Sequence, residues 1–343
     1  MHLQDNTLLQ GGKYKIVRFI SSGGFGCTYE AEHVMLHKKI AIKEFFVKDF
    51  CNRDESTAQV TVGTQTKVAL VSKLRKKFIE EAVALSGFKH PNIVSVSDIF
   101  EENGTAYYVM DYIDGKSIHE ILKTENLLSE ERAVKYTTQI AHALQYVHDH
   151  NRLHLDIKPG NIMVDVNDNA ILIDFGTSKQ YDEEAGENTS TLLCKTPGYA
   201  PIEQLGNSVQ TFTPATDIYS LGATLYKMLS GITPPEANIL VADDDELKPL
   251  PDNVSFSTRN AVNQAMQVKR KDRPQNIKDF LDLLEKLRNN MAHQKSSVDI
   301  YPKILLSLYM KNGKSVTPLN CALKAFILEL RDSAAAFDDL SMK

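Results

Sequence analysis

The feature that most restricts the fold of this chain is a polar segment near its middle, HLDIKPGN, at His154–Asn161. An amphipathic helix is predicted before it over Ser129–His150, with Ser129 as the capping residue. Two short strands are predicted after it, at Ile162–Val164 and Ala170–Ile173. A loop framed in this way would present several charged and polar side chains together. Those side chains are Asp156, Lys158 and Asn161.

Two more motifs place charge at the ends of apolar strands. Asp174 opens the tripeptide DFG directly after the second of these strands, and Lys43 closes the tripeptide AIK in an earlier one. A lysine at the end of a buried strand is costly unless its charge is paired. The helix predicted over residues 73–86 offers Glu81 or its neighbour Glu80 as the partner, although either glutamate also fits a solvated helix face.

A glycine-rich segment, ISSGGFGCT at residues 20–28, lies between two predicted strands near the start of the chain. Glycines in such a hairpin let backbone N–H groups approach a triphosphate without obstruction by Cβ atoms. Taken alone, the segment fits a plain β-turn equally well.

Together these motifs resemble the Hanks-type (eukaryotic-like) serine/threonine protein kinases, and the wording AIKEFF and HLDIKPGN is similar to that of bacterial members. The resemblance covers residues 14–288. It implies an α+β, bilobal protein-kinase fold, with a small β-rich N-lobe that carries one key helix and a larger, mainly α-helical C-lobe. The implied parts are an N-terminal extension (1–11), a kinase domain (12–288, with N-lobe 12–110, hinge 111–114 and C-lobe 115–288) and a C-terminal helical appendage (289–343).

The resemblance also implies ATP and Mg²⁺ as cofactors and assigns roles to individual residues. Asp156 is expected to act as the base, Lys158 to neutralise the transferring phosphate, and Thr196 to brace both. Lys43 is expected to pair with Glu81. The magnesium ligands are expected to be Asn161 and Asp174. The residues expected to have structural roles are His154, Phe175, Glu203, Asp217 and Arg273, with Glu203 and Arg273 forming a buried pair.

The ATP site implied by the resemblance combines the glycine-rich hairpin, the strand of Lys43 and the hinge. Met110 would precede the hinge, and the backbone of Asp111 and Ile113 would bond the adenine edge. Adenine would lie between Thr28 and Ala41 on one side and Met163 on the other. The remaining residues of the site would be Ile20, Ser21, Ser22, Gly23, Gly24, Phe25, Gly26, Cys27 and Lys43.

Three positions depart from the family pattern. Ser21 replaces the first glycine of the hairpin, Thr28 stands where valine is usual, and Leu155 replaces an arginine that receives a phosphate in many regulated members. Activity is therefore expected not to depend strongly on phosphorylation of Thr189, Ser190 or Thr191. Two other functions stay open, a pseudokinase-type binding scaffold and a small-molecule kinase.

Two segments fall outside the motifs. Residues 45–75 are longer than a strand-to-helix connection needs, and we expect them to lie over the small lobe beside the Glu81 helix. Within them, Gln59–Thr64 alternates like a strand available to pair with an edge of that lobe. In the appendage, Thr317 and Pro318 begin an amphipathic helix whose apolar stripe predicts a docking surface for the kinase or a partner.

Composition limits the partners. The chain has 343 residues and a net charge of −5, so nucleic acid is not expected as a partner. The partners that the resemblance implies are proteins with serine or threonine hydroxyls. Its four scattered cysteines fit neither a zinc site nor a disulfide framework and favour a reducing cytoplasm. No apolar run approaches about 18 residues, so no membrane insertion is expected.

Overall fold

The computed structural model describes residues 2–24, 26–175, 179–180, 196–205, 212–242 and 247–284. The chain divides into residues 1–288 and residues 289–343, and every described residue belongs to the first of these. The helix expected from Thr317, the site residue Phe25 and the three candidate phosphorylation sites near residue 190 lie outside the described residues.

The order of the strands and helices along the chain is the one expected for a β-rich lobe followed by a helical lobe. The strands are β1 (Leu8–Leu9), β2 (Tyr14–Ser22), β3 (Gly26–His33), β4 (Lys38–Phe45), β5 (Cys51–Arg53), β6 (Val60–Val62), β7 (Val96–Glu102), β8 (Thr105–Asp111), β9 (Gly115–Ser117), β10 (Arg152–Leu153), β11 (Ile162–Asp165), β12 (Ala170–Leu172) and β13 (Lys179–Gln180). The helices are α1 (Val68–Ser86), α2 (Ile118–Glu125), α3 (Glu130–Asp149), α4 (Ile202–Leu205), α5 (Pro214–Ser230), α6 (Ala237–Ala242), α7 (Phe256–Ala265) and α8, described over residues 277–284.

The small lobe is one antiparallel sheet with the strand order β1-β2-β3-β4-β8-β7. The hairpin of β7 and β8 turns at Asn103 and Gly104, whose φ angles of 51° and 71° both lie in the left-handed region. Such angles at both central residues match the right-handed twist of the flanking strands, which is why the Asn-Gly pair predicts this turn. The predicted β-rich lobe is thereby confirmed.

Helix α1 packs its apolar face on this sheet. Phe78 contacts the rings of Phe45 and Tyr108, with ring centroids 5.7 and 5.0 Å away. The helix begins at Val68, several residues before the predicted start at 73, and this prediction was wrong because no residue marks the true start. Lys67 occupies the capping position and makes no side-chain capping bond.

The connection between β4 and α1 has its own small sheet. Strands β5 and β6 pair with each other, Cys51 opposite Val62 and Arg53 opposite Val60. The expectation that the strand near Val60 pairs with an edge of the small lobe was therefore wrong. The pairing is local because a strand whose partners lie seven to eleven residues away closes a much shorter loop than one that must reach a lobe edge. We call residues 46–67 the insert.

The larger lobe is built around α3 and α5. Ser129 caps α3 by accepting a hydrogen bond from the backbone N–H of Arg132, as its sequence predicts. Nearly every side chain of α5 is buried, and Gly231 ends it with a φ of 69°. Strands β9, β11 and β12 form a three-stranded sheet above these helices. Together with the small lobe, they confirm the predicted two-lobed α+β fold.

The polar loop at His154–Asn161 lies between these layers. It follows β10 and leads through a turn at Pro159–Asn161 into β11, at the side of the larger lobe that meets the small lobe. Among the described helices, none is both long enough and apolar enough to cross a bilayer.

Candidate active site

Asp156 is the centre of a hydrogen-bonded cluster in the polar loop. The Lys158 ammonium lies 2.6 Å from Asp156 Oδ2, and the Thr196 hydroxyl donates to Oδ1 at 2.8 Å. Lys158 Nζ also donates to the Thr196 hydroxyl at 3.0 Å. The Asn161 amide donates to Asp156 Oδ2 at 2.9 Å and to its backbone carbonyl at 2.8 Å. The structure thus brings together four of the predicted site residues and holds the carboxylate in one orientation.

Lys43 reaches across the cleft between the lobes. Its ammonium lies 2.6 Å from Asp174 Oδ1, which joins β4 to the segment after β12. Burial by itself disfavours the charged amine, but the charge of Asp174, aided by Tyr108 and Glu81, raises the pKa of Lys43 well above its ordinary value. Lys43 is therefore a fixed positive charge at the cleft.

Glu81 rather than Glu80 is the glutamate of α1 that turns toward this charge. Glu81 is buried, whereas the Glu80 side chain is 60% exposed and lies near Lys76. The expected ion pair between Lys43 and Glu81 is nevertheless absent, and one Glu81 oxygen, Oε1, has no hydrogen-bond partner. Burial raises the pKa of Glu81 to about 8 against the opposing charge of Lys43. Without a direct contact to Lys43, desolvation dominates the pKa of the buried Glu81 carboxyl, and Lys43 pairs with Asp174 instead.

The register of the sheet defines the face that lines the cleft. Thr28 lies opposite Lys43, and Lys43 lies opposite Tyr108 on the next strand. Ala41 lies opposite Met110. Because alternate residues of a strand share a face, these five side chains lie on one side of the sheet. This arrangement places the predicted adenine-contacting residues of the small lobe beside the lysine.

The glycine-rich segment is the turn between β2 and β3. Ser21 pairs with Thr28 and Ser22 with Cys27, and Gly23 donates to the carbonyl of Gly26 at 2.8 Å. Gly26 needs to be glycine because a Cβ there would collide with the carbonyl of Glu44. Ile20 and Gly24 belong to the exposed part of the hairpin. The side chain of Cys27 lies on the face away from the cleft, so only its backbone is available to a ligand there.

The chain crosses between the lobes directly after β8. The backbone N–H of Asp111 donates to the carbonyl of Ser95 at 3.0 Å and is therefore already used within the small lobe. Ile113 follows on the connection, partly buried against the core. Met163, on β11, is half-buried and lies opposite Ser117 in the larger lobe. The predicted hinge residues thus lie between the two lobes.

Asn161 and Asp174 suit a hard cation. The Asn161 amide nitrogen is used by Asp156, which leaves its oxygen for a ligand, and the Asp174 carboxylate is 37% exposed. Magnesium prefers oxygen ligands and is usually held by one or two carboxylates together with substrate phosphates. In the described part of the chain, no group of three or more His, Cys, Asp or Glu side chains could hold a metal ion.

Asp217 of α5 holds the start of the polar loop at His154–Asn161. Its carboxylate accepts the backbone N–H groups of His154 and Leu155 at 2.9 and 2.7 Å, and His148 lies 2.8 Å away. Burial favours protonation of Asp217, but the hydrogen bond and charge of His148 lower its pKa below the usual value. A charged carboxylate in the core therefore fixes the start of the polar loop.

The ring of His154 packs on Phe175, with centroids 4.5 Å apart. Burial lowers the pKa of His154, and its Nδ1 accepts the backbone N–H of Asp156 at 3.2 Å. A neutral imidazole thereby links the loop to the DFG segment. Leu85 of α1 is also buried in this core.

Leu155 has the unfavourable φ of 67° and is buried in a small apolar cluster with Leu153 and Phe212. Its carbonyl accepts the side-chain amide of Gln204 at 2.9 Å. A leucine here contributes apolar packing and supplies no cation for a phosphate. That activity does not depend strongly on phosphorylation near residue 190 stays a prediction.

Glu203 and Arg273 form the buried pair that the sequence predicts. Two parallel contacts of 2.7 and 3.0 Å join the guanidinium and the carboxylate, whose side chains are 0% and 2% exposed. Arg273 also donates to the carbonyls of Ala215, Gln267 and Val268. The pair anchors the segment after Thr196 to α5.

Sequence reasoning missed several residues of the site. His148 and Gln204 hold the polar loop through side-chain contacts, and neither has a local pattern that separates it from an ordinary polar residue. Tyr108, whose ring centroid is 5.7 Å from the Lys43 ammonium, is part of a strand that reads only as apolar. Glu44 could have been found from the sequence, because a charged residue inside an apolar central strand, where it is buried, indicates a polar partner nearby.

Comparison with known proteins agrees with this geometry. The family profile described as "Protein kinase domain" matches residues 14–300. A probable serine/threonine-protein kinase of Clostridium perfringens is 28% identical over 290 residues, which covers 82% of this chain and 39% of that protein. Serine/threonine-protein kinase PrkC of Bacillus subtilis is 30% identical over 223 residues, which covers 65% of this chain and 31% of PrkC.

A solved structure shares the fold as well. The apo form of PpkA-294 superposes with a TM-score of 0.73 at 29% sequence identity, and the match covers 83% of this chain and 99% of that one. The chain spans well under half the length of the two bacterial relatives, so their longer architecture is not matched here.

Proposed function

The chain belongs to the protein kinase family, and on that premise we propose that it is a serine/threonine protein kinase. In this proposal it transfers the γ-phosphate of ATP to serine and threonine hydroxyls of protein substrates. The observation that carries the proposal is the cluster in which Asp156 is bonded by Lys158, Thr196 and Asn161. A pairing of one fixed carboxylate with one adjacent ammonium suits a reaction that depends on positioning and charge neutralisation.

Asp156 would orient the attacking hydroxyl and accept its proton as the new oxygen–phosphorus bond forms. The bond from the γ-phosphorus to the bridging oxygen breaks in the same step, and ADP leaves. The Thr196 hydroxyl and the Lys158 ammonium each hold one oxygen of the carboxylate, so its direction is set before substrate binds. Lys158 would also offset the negative charge of the transferring phosphoryl group.

Lys43 would contact the phosphates of ATP from the small lobe, on the cleft-facing side of the sheet. Its charge is retained because the Asp174 carboxylate lies 2.6 Å away and more than offsets the effect of burial. Asn161 and Asp174 would hold Mg²⁺ through oxygen atoms. When bound, the magnesium supplies positive charge to the phosphate oxygens.

The experiment is transfer of labelled phosphate from ATP to casein, with and without Mg²⁺, followed by identification of the labelled amino acid. We expect Mg²⁺-dependent labelling of serine or threonine and a loss of about 10²–10⁴-fold in kcat for Asp156→Asn. Asp149→Asn, at the exposed end of α3, is the matched control and should retain wild-type activity.

Other outcomes separate the two alternatives. No Mg²⁺-dependent turnover of ATP with any acceptor would indicate a binding scaffold. Turnover that needs an aminoglycoside or choline and leaves casein unlabelled would indicate a small-molecule kinase. The Glu203–Arg273 pair favours the protein kinase, because small-molecule kinases of this fold usually lack a segment anchored in this way.

A further inference from the structure

A buried ion pair that the proposed reaction does not use ties the insert to the small lobe. Arg53 Nη2 lies 2.6 Å from Glu44 Oε1, and the two side chains are 3% and 0% exposed. Glu44 also accepts the hydroxyls of Tyr29 and Tyr107 at 2.7 and 2.8 Å. Burying a carboxylate this deeply is costly unless donors such as these surround it.

Glu44 is the residue that follows Lys43 on β4. Successive side chains of a strand point to opposite faces, so Lys43 reaches the cleft while Glu44 reaches the cluster on the outer face. Contacts that hold Glu44 therefore also limit rotation of the strand that carries the cleft lysine.

Arg53 uses its other nitrogen within the insert. Nη1 donates to the carbonyl of Ala58 at 2.8 Å, and the guanidinium lies 5.2 Å from the ring centroid of Phe46. One side chain thus connects β4, the start of the insert and the turn that leads to β6.

The insert and α1 then hold the same turn of the small lobe. Val60 donates its N–H to the carbonyl of Asn103 at 2.8 Å, and a Cβ on Gly104 would come within 2.6 Å of the Val60 carbonyl. Arg75 of α1 donates to the Gly104 carbonyl at 3.3 Å. The Asn103 amide donates to the Tyr107 hydroxyl at 3.3 Å, which leads back to Glu44.

The first turns of α1 depend on such contacts. Lys67 gives no side-chain cap, Val68 and Leu70 are 41% and 36% exposed, and Val71, 6% exposed, is the first apolar side chain of the helix that is buried. Glu81 lies further along the same helix. The position of Glu81 relative to Lys43 is therefore set in part by where the insert delivers the chain.

We propose that Arg53 is a positioning residue for phosphoryl transfer. It ties the insert to Glu44 and thereby holds the Lys43 strand and the Glu81 helix in fixed relation. The inference rests on the proposed function for its kinetic consequence, whereas its structural consequence for α1 is independent of any activity.

The test uses two variants of the full chain and a matched control. Arg53→Met removes the tie and leaves Glu44 unpaired, whereas Arg53→Met combined with Glu44→Gln removes both the tie and the leftover charge. Lys13→Met is the control, because it also breaks an ion pair of the small lobe. Lys13 lies 2.6 Å from Asp98, whose carboxylate accepts the Tyr14 hydroxyl, and this pair lies outside the insert. The measurements are kcat, KM for ATP and amide exchange across residues 68–80.

We expect both Arg53 variants to lower kcat by about tenfold or more, with KM for ATP changed by less than about threefold. Amide exchange across residues 68–80 should be faster in both, and Lys13→Met should match wild type throughout. The inference is overturned if the double variant keeps kcat within about threefold of wild type, which would assign the loss to the unpaired charge of Glu44. It is also overturned if kcat falls without faster exchange in that segment.

A wild-type protein that transfers no phosphate would refute the proposed function instead. In that case unchanged exchange across residues 68–80 in both variants overturns the positioning role, and faster exchange supports it.

Discussion

Three neighbouring side chains set the charge of the cleft. Lys43 is bonded to Asp174, and Glu81 lies near both without an ion pair. Burial raises the pKa of Glu81 to about 8, so near neutral pH and without nucleotide its carboxyl is largely protonated. Ionisation of Glu81 would place a second anion beside Lys43, so the charge of the cleft changes as this carboxyl titrates.

This shift predicts how stability depends on pH. The folded state keeps the Glu81 proton up to a pKa of about 8, whereas the unfolded chain releases it near 4.5. The folded state thus binds more protons in that window, so the free energy of unfolding falls as the pH rises through it, by at most about 1.4 kcal/mol per pH unit from this group. In chemical denaturation without nucleotide, Glu81→Gln should show a shallower decline.

Glu80→Gln is the control for this measurement. The Glu80 side chain is 60% exposed, so its replacement should leave the pH dependence unchanged. Equal slopes for Glu81→Gln and wild type would show that Glu81 ionises at an ordinary pH in the folded protein.

Among elements, the strongest polar connection joins α4, α5 and the segment before α8. Arg273 contacts Glu203 of α4 by two hydrogen bonds and the carbonyl of Ala215 near the start of α5, and its guanidinium lies 4.8 Å from the ring centroid of Tyr219. All of these groups are buried, so the pair is isolated from solvent and cannot be replaced by water.

Breaking this pair should be strongly destabilising. We expect Arg273→Met to lower the free energy of unfolding by about 3–5 kcal/mol, because it leaves the Glu203 carboxylate buried without its partner. Arg259→Met is the matched control, since Arg259 and Asp252 are 3.9 Å apart and solvent-exposed, a contact worth at most about 1 kcal/mol. Urea denaturation measures the free energy of unfolding of both variants. Similar losses of that free energy for Arg273→Met and Arg259→Met would contradict the structural role of the Glu203–Arg273 pair.

At the scale of the whole molecule, the two lobes meet through side chains far apart in sequence. The contact of Lys43 with Asp174 spans 131 residues and links the small lobe directly to the DFG segment. A nucleotide bound between the lobes would contact both sides of this link. Its binding should therefore stabilise the folded chain as a unit.

We predict that ATP stabilises the protein more in the presence of Mg²⁺ than in its absence. At about 100 times its Kd, a ligand that binds only the folded state adds about 2.7 kcal/mol to the free energy of unfolding. Thermal unfolding of wild type and Asp174→Asn, each with ATP and with or without Mg²⁺, measures the effect. The Mg²⁺-dependent part should be lost in the variant, and a wild-type response that is identical with and without Mg²⁺ would contradict the assignment of Asp174 as a ligand.

Local chemistry accounts for the features that the sequence predicts well. The cap at Ser129, the Asn103-Gly104 turn and the polar loop at His154–Asn161 each depend on residues within a few positions of one another. Backbone preferences and short-range hydrogen bonds decide the geometry of the cap and the turn. The motif of the polar loop is equally local, but its geometry also depends on Asp217, Thr196 and Gln204 from far along the chain. The order of the motifs is sufficient to indicate the family. The Glu203–Arg273 pair was predictable only through the resemblance.

Other features were decided by the tertiary structure alone. The choice of Asp174 over Glu81 as the partner of Lys43, the uncapped start of α1 and the tie between Arg53 and Glu44 all depend on burial and on distances across the fold. Burial decides the pKa of Glu81, and burial is a property of everything packed around a side chain. The physical reason is that a sequence lists which charges exist, whereas the folded chain determines which of them are desolvated together.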